Sequence, residues 1–167
     1  AAAGTTQLSY GGHPVDLDPL LDLAEASRIP VIEDASQAAG AEYRGRRVGA
    51  LASAGTFSLY ANKILSSGEG GMVVTNDAEL AARMASVRNF GQAPGQPFVH
   101  PLLGSNYKMS DLHAAVGLAQ LARTDQFIAR RRANVAELNA RLAGLERFVD
   151  RLPADRPWAR SAPFAYH

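Results

Sequence analysis

"GTFSLYANKILSSGEGGMVVTND", residues 55–77, sets a single lysine, Lys63, between an apolar run and a glycine-rich turn. "GTFSLY" (55–60) and "GGMVVTN" (70–76) read as strands, because β-branched and aromatic residues bounded by glycine favour a pleated, half-buried surface. Lysines belong mostly on solvated faces. One placed between two buried strands is either an ordinary turn residue or a nucleophile held against something.

Outward from this stretch, strand-like runs alternate with helical patterns. "TTQLSY" (5–10) and "IPVIED" (29–34) are short strands, the second ending in two acids. "DLDPLLDLAEAS" (16–27) is an amphipathic helix with Asp18 as expected N-cap and Pro19 at its first helical position. "DAELAARMASVRNF" (77–90) is a helix capped by Asn76 or Asp77, and "SDLHAAVGLAQLA" (110–122) starts at a serine cap. "TDQFIARRRANVAELNARLAGL" (124–145) is a long helix whose basic run, Arg130 to Arg132, reads as a solvated face. Residues 91–108, rich in glycine and proline, form a long loop, and loops of that length tend to be functional. The alternation predicts an α/β fold with a mostly parallel sheet. After residue 148 prolines and arginines mark a linker, so the expected division is 1–148 for one domain and 149–167 for the linker and start of another.

The bulk composition narrows the function classes. With 167 residues, 47% hydrophobic and 20% charged, the chain has the composition of a globular protein. A net charge of +1 gives no electrostatic case for nucleic acid or an anionic membrane as partner. Zero cysteines exclude disulfides and thiolate chemistry and fit the cytoplasm. No apolar run approaches the ~20 residues of a membrane-spanning helix. His13, His100, His113 and His167 are too scattered for a metal site. The first residues enter a strand directly without a starting methionine, and "SAPFAYH" begins an alternation and stops, so the chain reads as an internal fragment.

Parallel sheets gather their functional residues at the carboxyl ends of strands. Asp34 lies at such an end, and Ser58 and Lys63 lie along or just after the next strand. An acid, a hydroxyl and an amine in neighbouring positions suit pyridoxal phosphate: a carboxylate for the pyridinium N–H, a hydroxyl for phosphate and an amine for the aldehyde. Plainer roles stay open at each position. Lys63 could be a solvated turn lysine, and Asp34 could cap the turn into "SQAAG". Gln37 and Ser58 could satisfy local backbone groups, and Asn106 could be a turn residue.

"VIEDASQAAGAEYRGRRVG", "TFSLYANKILSSGEGGMVVTND", "RNFG" and "GSNYKMSDLHAAVGLAQL" together resemble the DegT/DnrJ/EryC1/StrS family of sugar aminotransferases, most closely its perosamine-synthase-like branch. The resemblance runs from "YGGHPVDLDPL" to the long helix. It implies a three-layer α/β/α, aspartate-aminotransferase-like large domain, present in part, with the start of a small C-terminal domain. It implies a pyridoxal 5′-phosphate enzyme moving an amino group from glutamate to a nucleotide-linked keto-sugar, a 4-keto-6-deoxyhexose in that branch, for aminosugar, polysaccharide or antibiotic-sugar biosynthesis. By the same resemblance Lys63 is the lysine bonded to the cofactor and the base and acid of proton transfer, and Asp34 pairs with the ring nitrogen. Gln37 lies close to the ring, Ser58 binds the phosphate, and Asn106 reaches the phosphate of a neighbouring subunit's cofactor, implying a homodimer with shared sites.

The resemblance also places a phosphate-binding turn and a ring-stacking aromatic ahead of residue 1, so the fragment alone is expected to bind cofactor weakly. The family's sugar-deoxygenating branch carries histidine in place of the lysine, and Lys63 argues against it. A dehydratase branch keeps the lysine. A non-catalytic dimerisation or regulatory protein on the same fold is disfavoured by intact Asp34, Ser58 and Lys63.

Overall fold

Residues 4–166 are described by a computed structural model. Strand β1 (Thr5–Leu8) runs parallel to β2 (Val31–Asp34), joined by helix α1 (Asp18–Ser27). Pro30 cannot donate to the ladder but accepts from the Thr5 N–H at 3.1 Å, so pairing starts one residue later. A hairpin of β3 (Glu42–Tyr43) and β4 (Arg46–Arg47) then leads into β5 (Ala54–Ser58), which is parallel to β2, and β6 (Gly71–Val74), which is antiparallel to β5. The sheet order is β1-β2-β5-β6, mostly parallel as expected. Helices α2 (Ala78–Arg88), α3 (Asp111–Leu121) and α4 (Thr124–Arg141) follow, and β7 (Ala159–Arg160) closes the chain's secondary structure. No helix among the described residues is long and apolar enough to cross a membrane.

Local chemistry accounts for the helix ends. Asp77 caps α2 by accepting from the N–H groups of Glu79 (2.8 Å) and Leu80 (3.0 Å), and Ser110 caps α3 by accepting from His113 N–H at 3.4 Å. At α1 the cap is Leu17 rather than Asp18, and Pro19 is the second helical residue. The reason is tertiary: the Asp18 N–H donates to the Tyr43 hydroxyl at 3.1 Å and its carboxylate pairs with Arg44 at 2.9 Å, so its side chain is drawn away from the cap. Helix α4 stops at Arg141, shorter than the pattern to 145, and Gly144 follows at φ +87° as a helix-ending glycine.

The core uses small residues where elements meet. Ala35, Ala38 and Ala41 are almost fully buried with Leu17, Tyr43, Val48, Ile64 and Ile128. Ala162 belongs to the same cluster, at 0% exposure. Two elements were invisible in the pattern. The 42–47 hairpin turns through Arg44 and Gly45, both at positive φ, and β7 pairs antiparallel with β3 across more than a hundred residues of chain. Beyond β7, Ala162 N–H donates to Gly12 O and Phe164 N–H to Gly11 O, each at 3.0 Å. Gly12 permits this seam: at φ +91° it has no side chain, and a Cβ there would stand 1.8 Å from Ala162 O. Residues 149–156, by contrast, form no helix or strand.

Candidate active site

The carboxyl ends of β1, β2 and β5 lie side by side, because Leu8 is level with Asp34 and Asp34 with Thr56. Ser9 N–H donates to Asp34 O at 3.1 Å and Ala35 N–H to Thr56 O at 2.9 Å, carrying the ladder one residue past the strands. Asp34 is half-buried there, and its Oδ1 accepts from Ser36 N–H at 2.9 Å, so it does cap the following turn. Gln37 reaches back to the end of β1, where its Oε1 accepts from Gly11 N–H at 2.8 Å. That bond commits the carbonyl and leaves the Nε2 hydrogens as donors. Ser58 closes β5, half-buried, with Oγ accepting from Tyr60 N–H at 3.4 Å.

Lys63 stands five residues further on, in a loop closed on Leu59. Leu59 N–H donates to Gly70 O and Leu59 O accepts from Ser67 N–H, both at 2.9 Å, while Lys63 N–H bonds Tyr60 O at 3.0 Å. The next side chains, Ile64 and Leu65, are buried at 5% and 8% exposure and pin the backbone. Helix α3 braces the far side of the loop. Met109 occupies the space beside Gly70, where a Cβ would come within 2.7 Å of its Cε, and the His113 ring lies over Gly68. Gly68 and Gly70 therefore make room for α3 and the residues leading into it.

The half-buried Lys63 side chain points its Nζ at the Phe164 ring, 4.5 Å from the centroid. It lines an open cavity of about 460 Å³ together with Ser66, Gln120, Phe127, Arg130 and Arg131. Asp34, Gln37 and Ser58 do not line this cavity. Asn106 is placed apart from all of them. It is exposed, bridged to Asn89 at the end of α2, with Oδ1 accepting from Lys108 N–H at 3.4 Å. The structure thus gathers Asp34, Gln37 and Ser58 at one sheet end, sets Lys63 on the adjoining loop, and holds Asn106 elsewhere.

Several residues took on roles that the pattern did not reveal. Glu33, 2% exposed, accepts from the N–H groups of Gly49 (2.7 Å), Leu51 (2.6 Å) and Ala52 (2.9 Å), and so ties the turn before β5 to β2. Strand alternation was the available signal, since it puts Glu33 on the buried face with Val31. The arginine run is only partly a solvated face. Arg131 donates to Phe164 O at 2.6 Å, and Arg132 donates to Ser161 O at 2.6 Å and pairs with Asp155. Burial pushes the Asp155 carboxyl up, but Ser161's hydroxyl and N–H and the Arg132 guanidinium outweigh it and hold the group below its usual range. His13 faces the same cluster; its Nε2 is buried without a hydrogen-bond partner, and burial pushes its pKa down, more than the Asp155 charge raises it. Glu69 offers its carbonyl to the Ser67 hydroxyl at 2.7 Å, and the exposed His100 ring sits 3.0 Å from Phe90 O.

Comparison with known proteins places this architecture. Residues 5–166 match the DegT/DnrJ/EryC1/StrS aminotransferase family. The chain is 45% identical over 134 residues to GDP-perosamine synthase of Caulobacter vibrioides, covering 80% of this chain and 36% of that protein. It is 45% identical over 135 residues to dTDP-3-amino-3,4,6-trideoxy-alpha-D-glucose transaminase of Streptomyces venezuelae, covering 80% of this chain and 35% of that one. The crystal structure of S. venezuelae DesV superposes with a TM-score of 0.86 at 37% identity, covering 98% of this chain and 43% of DesV. The chain therefore spans little more than a third of the length of the curated relatives it matches.

Proposed function

The chain belongs to the DegT/DnrJ/EryC1/StrS aminotransferase family, and from that membership we propose that it forms part of a pyridoxal-phosphate-dependent transaminase carrying an amino group from glutamate to a nucleotide-linked keto-sugar. The observation that carries the reading is the donor set: an acid, an amide and a hydroxyl at one sheet end, with an amine on the loop that follows. Those groups match, in kind, a ring N–H, a ring oxygen, a phosphate and an aldehyde. The relatives' names, a GDP-linked and a dTDP-linked aminosugar enzyme, support a nucleotide-linked acceptor, and the perosamine-synthase likeness favours a 4-keto-6-deoxyhexose.

Pyridoxal phosphate, when bound, supplies an aldehyde that takes up the amino group and a ring that accepts the electron pair of the broken C–H bond. Everything else is protein. Lys63 Nζ would hold the cofactor and carry the proton between substrate carbon and cofactor, and the anchored Ile64–Leu65 pair restrains its backbone. Asp34, fixed by its bond from Ser36, would keep the proton on the ring nitrogen. Gln37, oriented by Gly11, would donate its Nε2 hydrogens to the ring oxygen, and Ser58 Oγ would bind phosphate. Asn106, exposed, would serve the cofactor phosphate of a second subunit in a homodimer. In this reading residues 1–148 would form the large unit and 149–167 the linker and the start of a second domain, tied back onto the large unit by the pairing of β7 with β3 and by the buried Ala162.

The test uses the intact protein. Incubated with cofactor, glutamate and a panel of nucleotide-linked 3- and 4-keto sugars, it is expected to yield one amino sugar detected by mass. Failure to convert any of them, with no half-reaction from glutamate, would refute the reading and favour a non-catalytic role.

A further inference from the structure

Arg130 and Arg131 join Lys63 in lining the cavity and no Asp or Glu lines it, so once Lys63 bonds the cofactor the two guanidiniums are the cations left for a ligand. Phe127, Arg130 and Arg131 come from one stripe of α4, Gln120 from α3, and Lys63 and Ser66 from the loop after β5. Arg130 has no ion pair among the described residues. Lys63 has no ion pair among the described residues and sets its ammonium against the Phe164 ring, and Arg131 is held by the carbonyls of Pro163 and Phe164 rather than by a carboxylate. Elsewhere Arg44, Arg47, Arg132, Arg141, Arg151 and Arg160 have acidic partners, while other surface cations such as Arg28 and Arg83 have none among the described residues, so what sets this place apart is that its unpaired cations line one cavity free of carboxylates.

We propose that this cavity is an oxyanion subsite, taking a diphosphate or carboxylate group carried by a substrate, with Arg130 as its recognition residue. Converging positive charge with hydroxyl and amide donors, Ser66 and Gln120, is the chemistry that selects such groups. Arg131 is pre-positioned by its backbone bonds and spends little conformational freedom on binding. The cavity is not lined by Ser58 or Asn106, the residues read as holding the cofactor phosphate, so it is a second anion position. The inference rests on the transaminase reading for the identity of the substrate, but not for the presence of the anion site.

Arg130 is exposed and has no ion pair or side-chain hydrogen bond among the described residues, so Arg130→Gln and Arg130→Glu are expected to leave the fold in place. Calorimetric titration of the cofactor-loaded intact protein with inorganic pyrophosphate is expected to show binding that weakens on the order of 10-fold or more in Arg130→Gln, is lost in Arg130→Glu, and declines with salt. The two sources separate kinetically. A raised KM for the nucleotide-linked sugar identifies a diphosphate, and a raised constant for the glutamate half-reaction identifies a carboxylate. Both variants are expected to keep the parent's cofactor absorbance. Pyrophosphate binding that is absent from the parent or unchanged in both variants overturns the subsite. An absorbance band missing from the parent itself would instead count against the transaminase reading.

Discussion

Replacing Glu33 by glutamine tests how the sheet end is held. Glu33 Oε2 accepts from Gly49 N–H, and Oε1 accepts from Leu51 and Ala52 N–H, with the side chain 2% exposed. The amide keeps one carbonyl oxygen for Leu51 and Ala52 but turns an NH₂ toward Gly49, setting donor against donor. Leaving one buried donor unsatisfied costs about 1–3 kcal/mol, and replacing charge-assisted bonds by neutral ones costs about 1 kcal/mol more. The expected loss is therefore roughly 2–4 kcal/mol, or on the order of 5–15 °C in Tm for a large domain. Glu33→Ala removes all three acceptors and leaves a cavity, and should be worse. Thermal and urea unfolding of the intact protein read both. A Glu33→Gln variant within about 0.5 kcal/mol of the parent would refute the argument that this carboxylate ties the 49–52 turn to β2.

Other consequences follow from the same geometry. Acidification should weaken the seam between residues 11–13 and 159–164: burial holds His13 below its ordinary 6.5, so stability is fully present above that pH and falls as pH drops through it toward the folded value. Asp155, held below 3.8, stays ionised in that window, so His13→Gln should flatten the Tm difference between pH 7.5 and 5.5. Gly70→Ala would place a Cβ 2.7 Å from Met109 Cε at a φ of +139°, and should cost about 1–3 kcal/mol, seen as a lowered Tm. Asp34→Asn should leave unfolding stability within about 1 kcal/mol, since an amide oxygen can still accept from Ser36, while the transaminase turnover proposed for the intact protein falls at least about 100-fold.

Much of the fold was written in local chemistry. "IPVIED", the Asp77 and Ser110 caps and the alternation around Lys63 each announce an element through short-range signals. The hairpin at 42–47 and strand β7 were hidden, because two-residue strands carry no periodicity and their pairing joins Glu42 to Arg160. The Asp18 cap failed for a related reason: Tyr43 and Arg44, distant in sequence, compete for that residue. At the candidate site the acid, amide, hydroxyl and amine could be picked out by type. The cavity was not legible, since Arg130 meets Lys63 only once α4 has folded back over the loop after β5.

On the proposed reading Lys63 is the amine that bonds the cofactor. Borohydride reduction of the intact protein loaded with pyridoxal phosphate, followed by peptide mass mapping, tests it most directly. A pyridoxyl group on Lys63, together with loss of the near-visible absorbance band in Lys63→Ala, is the predicted result. A label on another lysine, or an unlabelled protein with an unchanged spectrum in Lys63→Ala, would contradict it.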